Sequence, residues 1–423
     1  MKRVFQGADI LLPKKGIDQS HWSVVACDQY TSEPAYWKQV EEIVGQDPST
    51  YHMIFPEVYL EEEGADDRIR KINETMRAYE QDGIYESYPA AMIYVERTDS
   101  EGKLRAGIVG CFDLEAYDYH KGSSSLIRAT EATVESRIPP RMKIRQHAVV
   151  ELPHIMILMD DPDRQIIEPL AERKEEMEQL YDYDMMLGGG HNCGYLIPQE
   201  LQEKILSGID QLADLKHFAE KYQCPDKPVL LFAMGDGNHS LATAKACYEH
   251  LKAEHPGEDL SHHPARYALA ELVNLHSPAL EFEAIHRIVT GVDRADLLAA
   301  MQDKLALSPE EVAGAQRFEI VEQGQSRPVW IGQPSSKLTV GSLQSFLDAY
   351  LADHEGKIDY IHGLDVVKNL SMQEHSIGFV LPDMRKSELY PTVISDGALP
   401  RKTFSMGHAA DKRYYMECRK ITE

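Results

Sequence analysis

The chain has 423 residues, of which 43% are hydrophobic and 27% charged, a composition that can bury a large core and is too apolar for a disordered protein. Sixty-nine Asp and Glu against 44 Lys and Arg leave a formal net charge of −25, which repels nucleic acid and anionic lipid at long range and excludes non-specific binding to either. There is no apolar run of the roughly 18 residues a membrane span needs, no secretory pattern and no C-x-x-C pair among the six cysteines, so the reading is a cytoplasmic protein without a zinc framework or disulfide scaffold.

Taken in chain order, Ser23–Cys27 reads as a short strand and Pro34–Val44 as a helix with proline in its first turn. Asp66–Asp82 places Ile69, Ile72, Met76 and Tyr79 on one helical face. Ala90–Arg97 and Leu104–Asp113 flank a turn-rich segment and read as a hairpin. Leu152–Met159 is an apolar strand, whereas Ile166–Tyr181 and Gln199–Tyr222 read as charged helices. Pro228–Met234 is an uninterrupted apolar run of the kind buried on both faces of a sheet. A helix over Leu241–His255, a loop over Pro256–Pro264 and a strand over Tyr267–Leu275 follow. Shorter units come next: a helix at Ala295–Leu305, strands at Phe318–Val321 and Val329–Ile331, a helix at Leu343–Leu351 and a strand at Ile377–Leu381. The fold class is mixed α/β, a central mixed sheet with flanking helices. An α/β core over residues 1–290 is expected to carry a smaller C-terminal α/β lobe over 291–423.

Three segments carry candidate chemistry. Gly235-Asp236-Gly237-Asn238-His239-Ser240 joins a buried strand to a helix, where glycines and a helix N-terminus make an anion site. The bland alternative is a tight turn capped by Asn238 or Ser240, and G-x-G-x-x-S only approaches the dinucleotide fingerprint. Arg128, Glu131 and Thr133, with Arg137, Arg141, Lys143 and Arg145 soon after, form a basic cluster that either offsets phosphate charge or lines a solvated helix face. His286-Arg287, past an apolar segment, is either a phosphate-binding pair or a structural one. His191 and the His262-His263 pair read as solvated loop residues, since no metal-ligand spacing surrounds them. P-loop and G-x-S-x-G motifs are absent.

In this order the segments resemble a bacterial family known as a domain of unknown function, family ten-fifteen. Its N-terminal Val-Ala-x-x-x-Tyr-Asp segment is similar to Val25-Ala26-Cys27-Asp28-Gln29-Tyr30. Its His-Glu-x-Thr segment resembles Thr130-Glu131-Ala132-Thr133, with Arg141 as the following arginine, and its Asp-Gly-His-His-Arg turn resembles Asp236–Ser240. Its Thr-His-Arg ending resembles Ile285-His286-Arg287. Its C-terminal Tyr-x-His and Pro-x-Lys-Ser-Thr segments resemble Tyr360-Ile361-His362 and Pro400-Arg401-Lys402-Thr403. Ser240 stands where the family has arginine, and Thr130 and Asn238 where histidines are usual.

The resemblance implies a ParB/sulfiredoxin-like nucleotide-binding core and an activity like that of free-serine kinases. Such an enzyme transfers a phosphoryl group from ATP or ADP to the hydroxyl of L-serine, or runs in reverse from phosphoserine. On that reading Glu131 is the base, Asp236 holds Mg²⁺ and His239 acts at the phosphate. Gly237, Asn238 and Ser240 offer backbone donors. Arg141, Arg287 and Lys402 supply positive charge, His286 orients phosphate, and Asp28, Arg128, Thr133 and His362 complete the binding set. The expected partners are the small substrate and the nucleotide, with a homodimer allowed. Two other classes stay open: a non-catalytic nucleotide- or phosphate-binding regulator, and an NAD-dependent oxidoreductase using the Gly235 turn.

Overall fold

The computed structural model describes residues 3–60 and 62–423; Met1 and Lys2, which open the N-terminal segment read above, lie outside them. The chain divides into two compact units. One runs to Ala129, resumes over Thr133–Leu280 and takes back His408–Glu423; the other holds Thr130–Ala132 and Glu281–Gly407. The division thus falls at 280/281 where 290/291 was expected, and the C-terminal segment belongs with the first unit.

The first unit is built on a ten-stranded mixed sheet. From its edge the strands run Glu178–Asp184, His191–Leu196, Ile93–Thr98, Leu104–Asp113, Tyr267–Asn274, Met156–Met159, Phe232–Asp236, Ile127–Arg128 and Tyr117–Asp118, with Phe5–Gln6 paired to Leu104–Asp113. Tyr267–Asn274 runs parallel to Met156–Met159, Phe232–Asp236 runs parallel to Ile127–Arg128, and the pairs toward the Glu178 edge are antiparallel. All four residues of Met156–Met159 are buried, as expected of a strand covered on both faces. The edge strand instead alternates, burying Tyr181 and Tyr183 and turning acidic and amide side chains outward. A second sheet joins Tyr85–Ala91, Ala8–Pro13, Cys418–Lys420 and Val150–Glu151, all antiparallel, and so ties the C-terminal segment into this unit.

The second unit has a six-stranded antiparallel sheet in the order Leu307–Ser308, Gln325–Ile331, Gln316–Glu322, Ser376–Val380, His286–Thr290 and Lys357–Ile361. Its helices include Arg294–Leu305 and Thr339–Asp353. Asp293 caps the first of these by accepting from the N–H groups of Ala295 and Asp296 at 2.8 and 3.1 Å.

The mixed α/β reading holds, and several elements differ from expectation. Ser23–Cys27 is not a strand; Val25 makes an isolated bridge to Tyr414. Ile166–Tyr181 is a 3₁₀ segment, Glu168–Glu176, leading into the strand Glu178–Asp184. Its charged residues favour helix, but the alternation of Tyr181 and Tyr183 decides the C-terminal half. Gln199–Tyr222 breaks into Gln199–Leu212 and Leu215–Tyr222, where Asp214 accepts from His217 N–H at 2.8 Å. Leu152–Met159 narrows to Met156–Met159, and the run ending at Met234 pairs over Phe232–Asp236. His191 lies in a strand, not a loop. Among the described residues no disulfide joins the cysteines and no helix is long and apolar enough to cross a membrane.

Candidate functional site

In the first unit the strand Phe232–Asp236 meets the helix Asn238–Glu254 at Gly237, whose φ of +79° suits glycine. A Cβ there would also come within 3.0 Å of Ile155 Cα. Pairing with Met156–Met159 slips between Met234 and Asp236, a bulge that redirects the Asp236 carboxylate. Gly237 has no side chain to cap the helix, while Ser240 and Leu241 return their N–H groups to its carbonyl at 3.0 Å each. The Asn238 and His239 N–H groups therefore stand at the mouth of a 17-residue helix, an arrangement that attracts anions.

Asp236 is engaged on both oxygens. Oδ1 accepts from Gly237 N–H at 2.9 Å, and Oδ2 lies 3.1 Å from Lys412 Nζ. Burial pushes this carboxyl upward, but the Lys412 charge and hydrogen bond outweigh it and hold the group below its ordinary value. Lys412 is itself positioned by Arg97, which is 2% exposed. The Arg97 guanidinium donates to the carbonyls of Ala410, Asp411 and Lys412 and stacks over Tyr414 at 4.8 Å. The ammonium thus neutralises a carboxylate beside anion-binding amides, the task assigned above to Mg²⁺. Mg²⁺ is commonly held by one or two carboxylates together with substrate phosphates and waters, and at Asp236 such an ion would share Oδ2 with the Lys412 ammonium or displace it. Lys412 thus stands at the oxygen where Mg²⁺ was expected.

A second chain of contacts runs beside the turn. Ser240 Oγ meets His154 Nε2 at 2.9 Å, and His154 Nδ1 meets the Tyr415 hydroxyl at 2.7 Å. That hydroxyl accepts from Cys27 N–H at 3.0 Å, and Asp28 Oδ2 lies 3.6 Å from His154 Nε2. Asp28 keeps 28% of its side-chain exposure, and its Oδ1 accepts from Gln29 at 2.9 Å. Cys27, Arg141, His154, Ser240 and Tyr415 share a cavity of about 150 Å³ with apolar residues such as Met53 and Ile144. Burial pushes the Cys27 thiol far above its ordinary range. Arg141 is paired with Glu57 and donates to the Arg137 carbonyl at 2.9 Å. Among the described residues Thr133 Oγ1 and Asn238 Oδ1 are buried oxygens without a hydrogen-bond partner. His154, Tyr415 and Lys412 were not singled out in the sequence. The signal was present only for Lys412, as the demand of Asp236 for a cation.

Two of the predicted basic residues serve the backbone. Arg128 is 4% exposed and donates to the carbonyls of Ser125, Pro228 and Val229 at 2.7, 2.9 and 3.0 Å. It lies on a strand and not on a solvated helix face. Arg287, in the second unit, is 0% exposed. It donates to Gln344 Oε1 at 3.1 Å and to the carbonyls of Lys402 and Arg401, each at 2.9 Å, and also to that of Ile285. Burial pushes its guanidinium down to about 10. With its donors so occupied it organises the 401–402 turn and does not face phosphate directly.

Around Arg287 the second unit gathers its other predicted residues. Register pairs His286 with Ile361 and Arg287 with Tyr360. His286 Nδ1 accepts from Leu381 N–H at 3.3 Å, and burial lowers its pKa, so the ring is a neutral acceptor at neutral pH. Glu131 bridges to Leu399 through the backbone and adds negative potential at Arg287. Lys402 has a left-handed φ of +53° and an exposed side chain. His362 Nε2 lies 3.0 Å from Glu283. Of the predicted residues, Asp28, Arg141 and the 236–240 turn are linked through His154 and the cavity in the first unit, which also holds Thr133, while Glu131, His286, Arg287, His362 and Lys402 belong to the second.

A family model described as "Protein of unknown function (DUF1015)" matches residues 11–398. No curated protein matches the chain. Solved structures that resemble it include a free serine kinase in complex with AMP, 8% identical over 74% of this chain and 90% of that one, with a TM-score of 0.35. Another is SbnI with a C-terminal truncation from Staphylococcus aureus, 8% identical over 74% and 83%, with a TM-score of 0.35. A third is a conserved hypothetical protein from Pyrococcus furiosus, 8% identical over 74% and 94%, with a TM-score of 0.35.

Proposed function

We propose, for a chain that belongs to the DUF1015 family, a nucleotide-dependent small-molecule kinase whose acceptor is the hydroxyl of free L-serine. The observation that carries this reading is the 236–240 turn, a helix mouth whose N-cap glycine supplies no side-chain cap, with Lys412 alongside. A nucleotide phosphate suits the Asn238 and His239 amides. Phosphoryl transfer asks mainly for positioning, positive charge and a group that accepts the hydroxyl proton. In the first unit Asp28 suits the last task, being partly exposed and braced by Gln29 and His154. The serine oxygen would attack the terminal phosphorus as its proton passes to Asp28, and the shortened nucleotide would leave. The cavity beside Ser240 holds about five waters at roughly 30 Å³ each, a volume suited to a small amino acid.

One observation favours a second reading, a nucleotide-binding regulator without turnover. Arg128 and Arg287 are occupied by carbonyls, Arg141 is paired with Glu57, and Ser240 stands where the family has arginine. A single experiment separates the two. ATP and ADP are incubated with free amino acids, with and without Mg²⁺, and followed by phosphorus NMR alongside calorimetric nucleotide binding. Phosphoserine formation supports the kinase. Binding without a new phosphorus resonance supports the regulator, and the absence of binding removes both.

A further inference from the structure

At the edge of the large sheet the first unit carries a group of side chains that the kinase reading does not use. The strands Glu178–Asp184 and His191–Leu196 pair antiparallel, with Asp182 opposite Cys193 and Asp184 opposite His191. Because side chains alternate along a strand, residues two apart share a face. Tyr181 and Tyr183 turn into the core, and Asp182 and Asp184 therefore turn outward. The spacings Asp-x-Asp and His-x-Cys then converge on the solvent face, although neither is a metal motif within its own strand.

The geometry is that of a ligand set. Ligand atoms of Asp182, His191 and Cys193 all lie within 4.8 Å of one another. His191 Nε2 is 2.9 Å from Asp182 Oδ1 and 3.2 Å from Cys193 Sγ. A tetrahedral zinc ion with bonds of about 2.3 Å to sulfur and about 2.0–2.1 Å to nitrogen and oxygen has ligand–ligand edges of roughly 3.3–3.6 Å. The two separations from His191 need to open by only a few tenths of an ångström to admit it, and the Asp182 and Cys193 ligand atoms lie within 4.8 Å of each other.

The surrounding contacts prepare each ligand. His191 Nδ1 lies 2.7 Å from Asp184 Oδ1, and in the tautomer that donates its proton there the ring presents the Nε2 lone pair to the other two groups. Gln179 donates to Asp182 Oδ2 at 2.8 Å and leaves Oδ1 turned to the cluster. A carboxylate, an imidazole lone pair and a sulfur meeting at one point repel unless a cation or a proton stands between them. A proton serves one pair at a time, whereas one metal ion serves all three. Sulfur and imidazole exclude Mg²⁺ and Ca²⁺ and suit zinc.

We propose that Asp182, His191 and Cys193 bind one zinc ion across the edge hairpin, with Asp184 and Gln179 as positioning residues and solvent in the fourth place. The side chains of Asp182 and His191 keep 50% and 39% of their exposure, which leaves an open approach for the ion. The site stands independently of the kinase reading. It is tested on the full chain, stripped with chelator and titrated with cobalt(II), then with zinc(II) against a chromophoric chelator. One equivalent of cobalt should produce thiolate-to-metal charge-transfer absorption that Cys193→Ser abolishes. Zinc should raise the thermal midpoint of the parent protein and not that of Cys193→Ser or His191→Gln. Asp184→Asn, which leaves all three ligands in place and alters only the contact to His191 Nδ1, should weaken zinc about 10–100-fold. No thiolate absorption in the parent protein, or absorption that survives Cys193→Ser, would overturn the site. So would zinc affinity unchanged in both His191→Gln and Asp184→Asn, since His191 would then be only an imidazolium held between two carboxylates.

Discussion

Replacing Lys412 with Met removes the ammonium from Asp236 while keeping most of the apolar stem. At the observed 3.1 Å, two unit charges attract by about 5 kcal/mol at an effective dielectric constant of about 20. Both side chains are mostly buried, with 16% and 27% of their exposure left. Desolvation therefore cancels much of that attraction, and the expected net loss is about 1–2 kcal/mol. At roughly 2 °C per kcal/mol for a unit of this size, the thermal midpoint should fall by about 2–4 °C. In the Asp236→Asn background the same lysine replacement should cost almost nothing, giving a coupling of at least about 1 kcal/mol in the double-mutant cycle. The pH dependence has a definite sign. Asp236 is held below its ordinary value by Lys412, so its contribution is complete above the unfolded carboxyl value of about 3.9 and is lost as pH falls through the lower folded value. The Lys412→Met penalty measured at neutral pH should shrink in that acid window. Additive costs, or a penalty that does not change with pH, would refute the pair. A rise in the parent midpoint with Mg²⁺ alone that Asp236→Asn abolishes would support the metal role instead.

Three further outcomes follow from the same geometry. Thr133→Val removes a hydroxyl with no protein partner, so the thermal midpoint should hold while calorimetric ADP affinity drops about 2–10-fold; unchanged affinity takes Thr133 out of the site. Arg413→Met takes the guanidinium from two buried carboxylates, leaving Glu271 with Arg105 at 3.2 Å and Glu417 with the Tyr181 hydroxyl, and should cost about 3 kcal/mol in urea unfolding. A loss below about 1 kcal/mol would mean that Arg105 and Tyr181 suffice for those carboxylates and that Arg413 is not needed to pair them. Glu131→Gln tests the base assigned from the family resemblance. If Glu131 accepts the serine proton, kcat falls about 10²–10⁴-fold with KM little changed, and an unchanged kcat leaves the role to Asp28.

Legibility in this sequence follows the range over which each feature is determined. The helix Asn238–Glu254 and the strand before it could be read because an apolar run, two glycines and a helical period lie within about 25 residues of each other, and nothing distant is needed to interpret them. The stretch 178–181 reads as the end of a charged helix because its charge outweighs the two-residue alternation of Tyr181 and Tyr183, which becomes informative only when a sheet edge lies beside it. The arginines show the same limit. Arg128 and Arg287 looked like phosphate ligands because a guanidinium suits phosphate and carbonyl alike, and only the folded backbone supplies the carbonyls that occupy them. The turn at Asp236 is the sharpest instance. A carboxylate beside anion-binding amides demands a cation, and that demand was legible from six residues. Which cation meets it was not, because Lys412 arrives from a C-terminal segment that Arg97 holds by its carbonyls and that Cys418–Lys420 ties to the strands Ala8–Pro13 and Val150–Glu151. Any of the 44 Lys and Arg residues could have filled the place as far as local pattern goes, and a metal ion was the only candidate that needed no partner elsewhere in the chain.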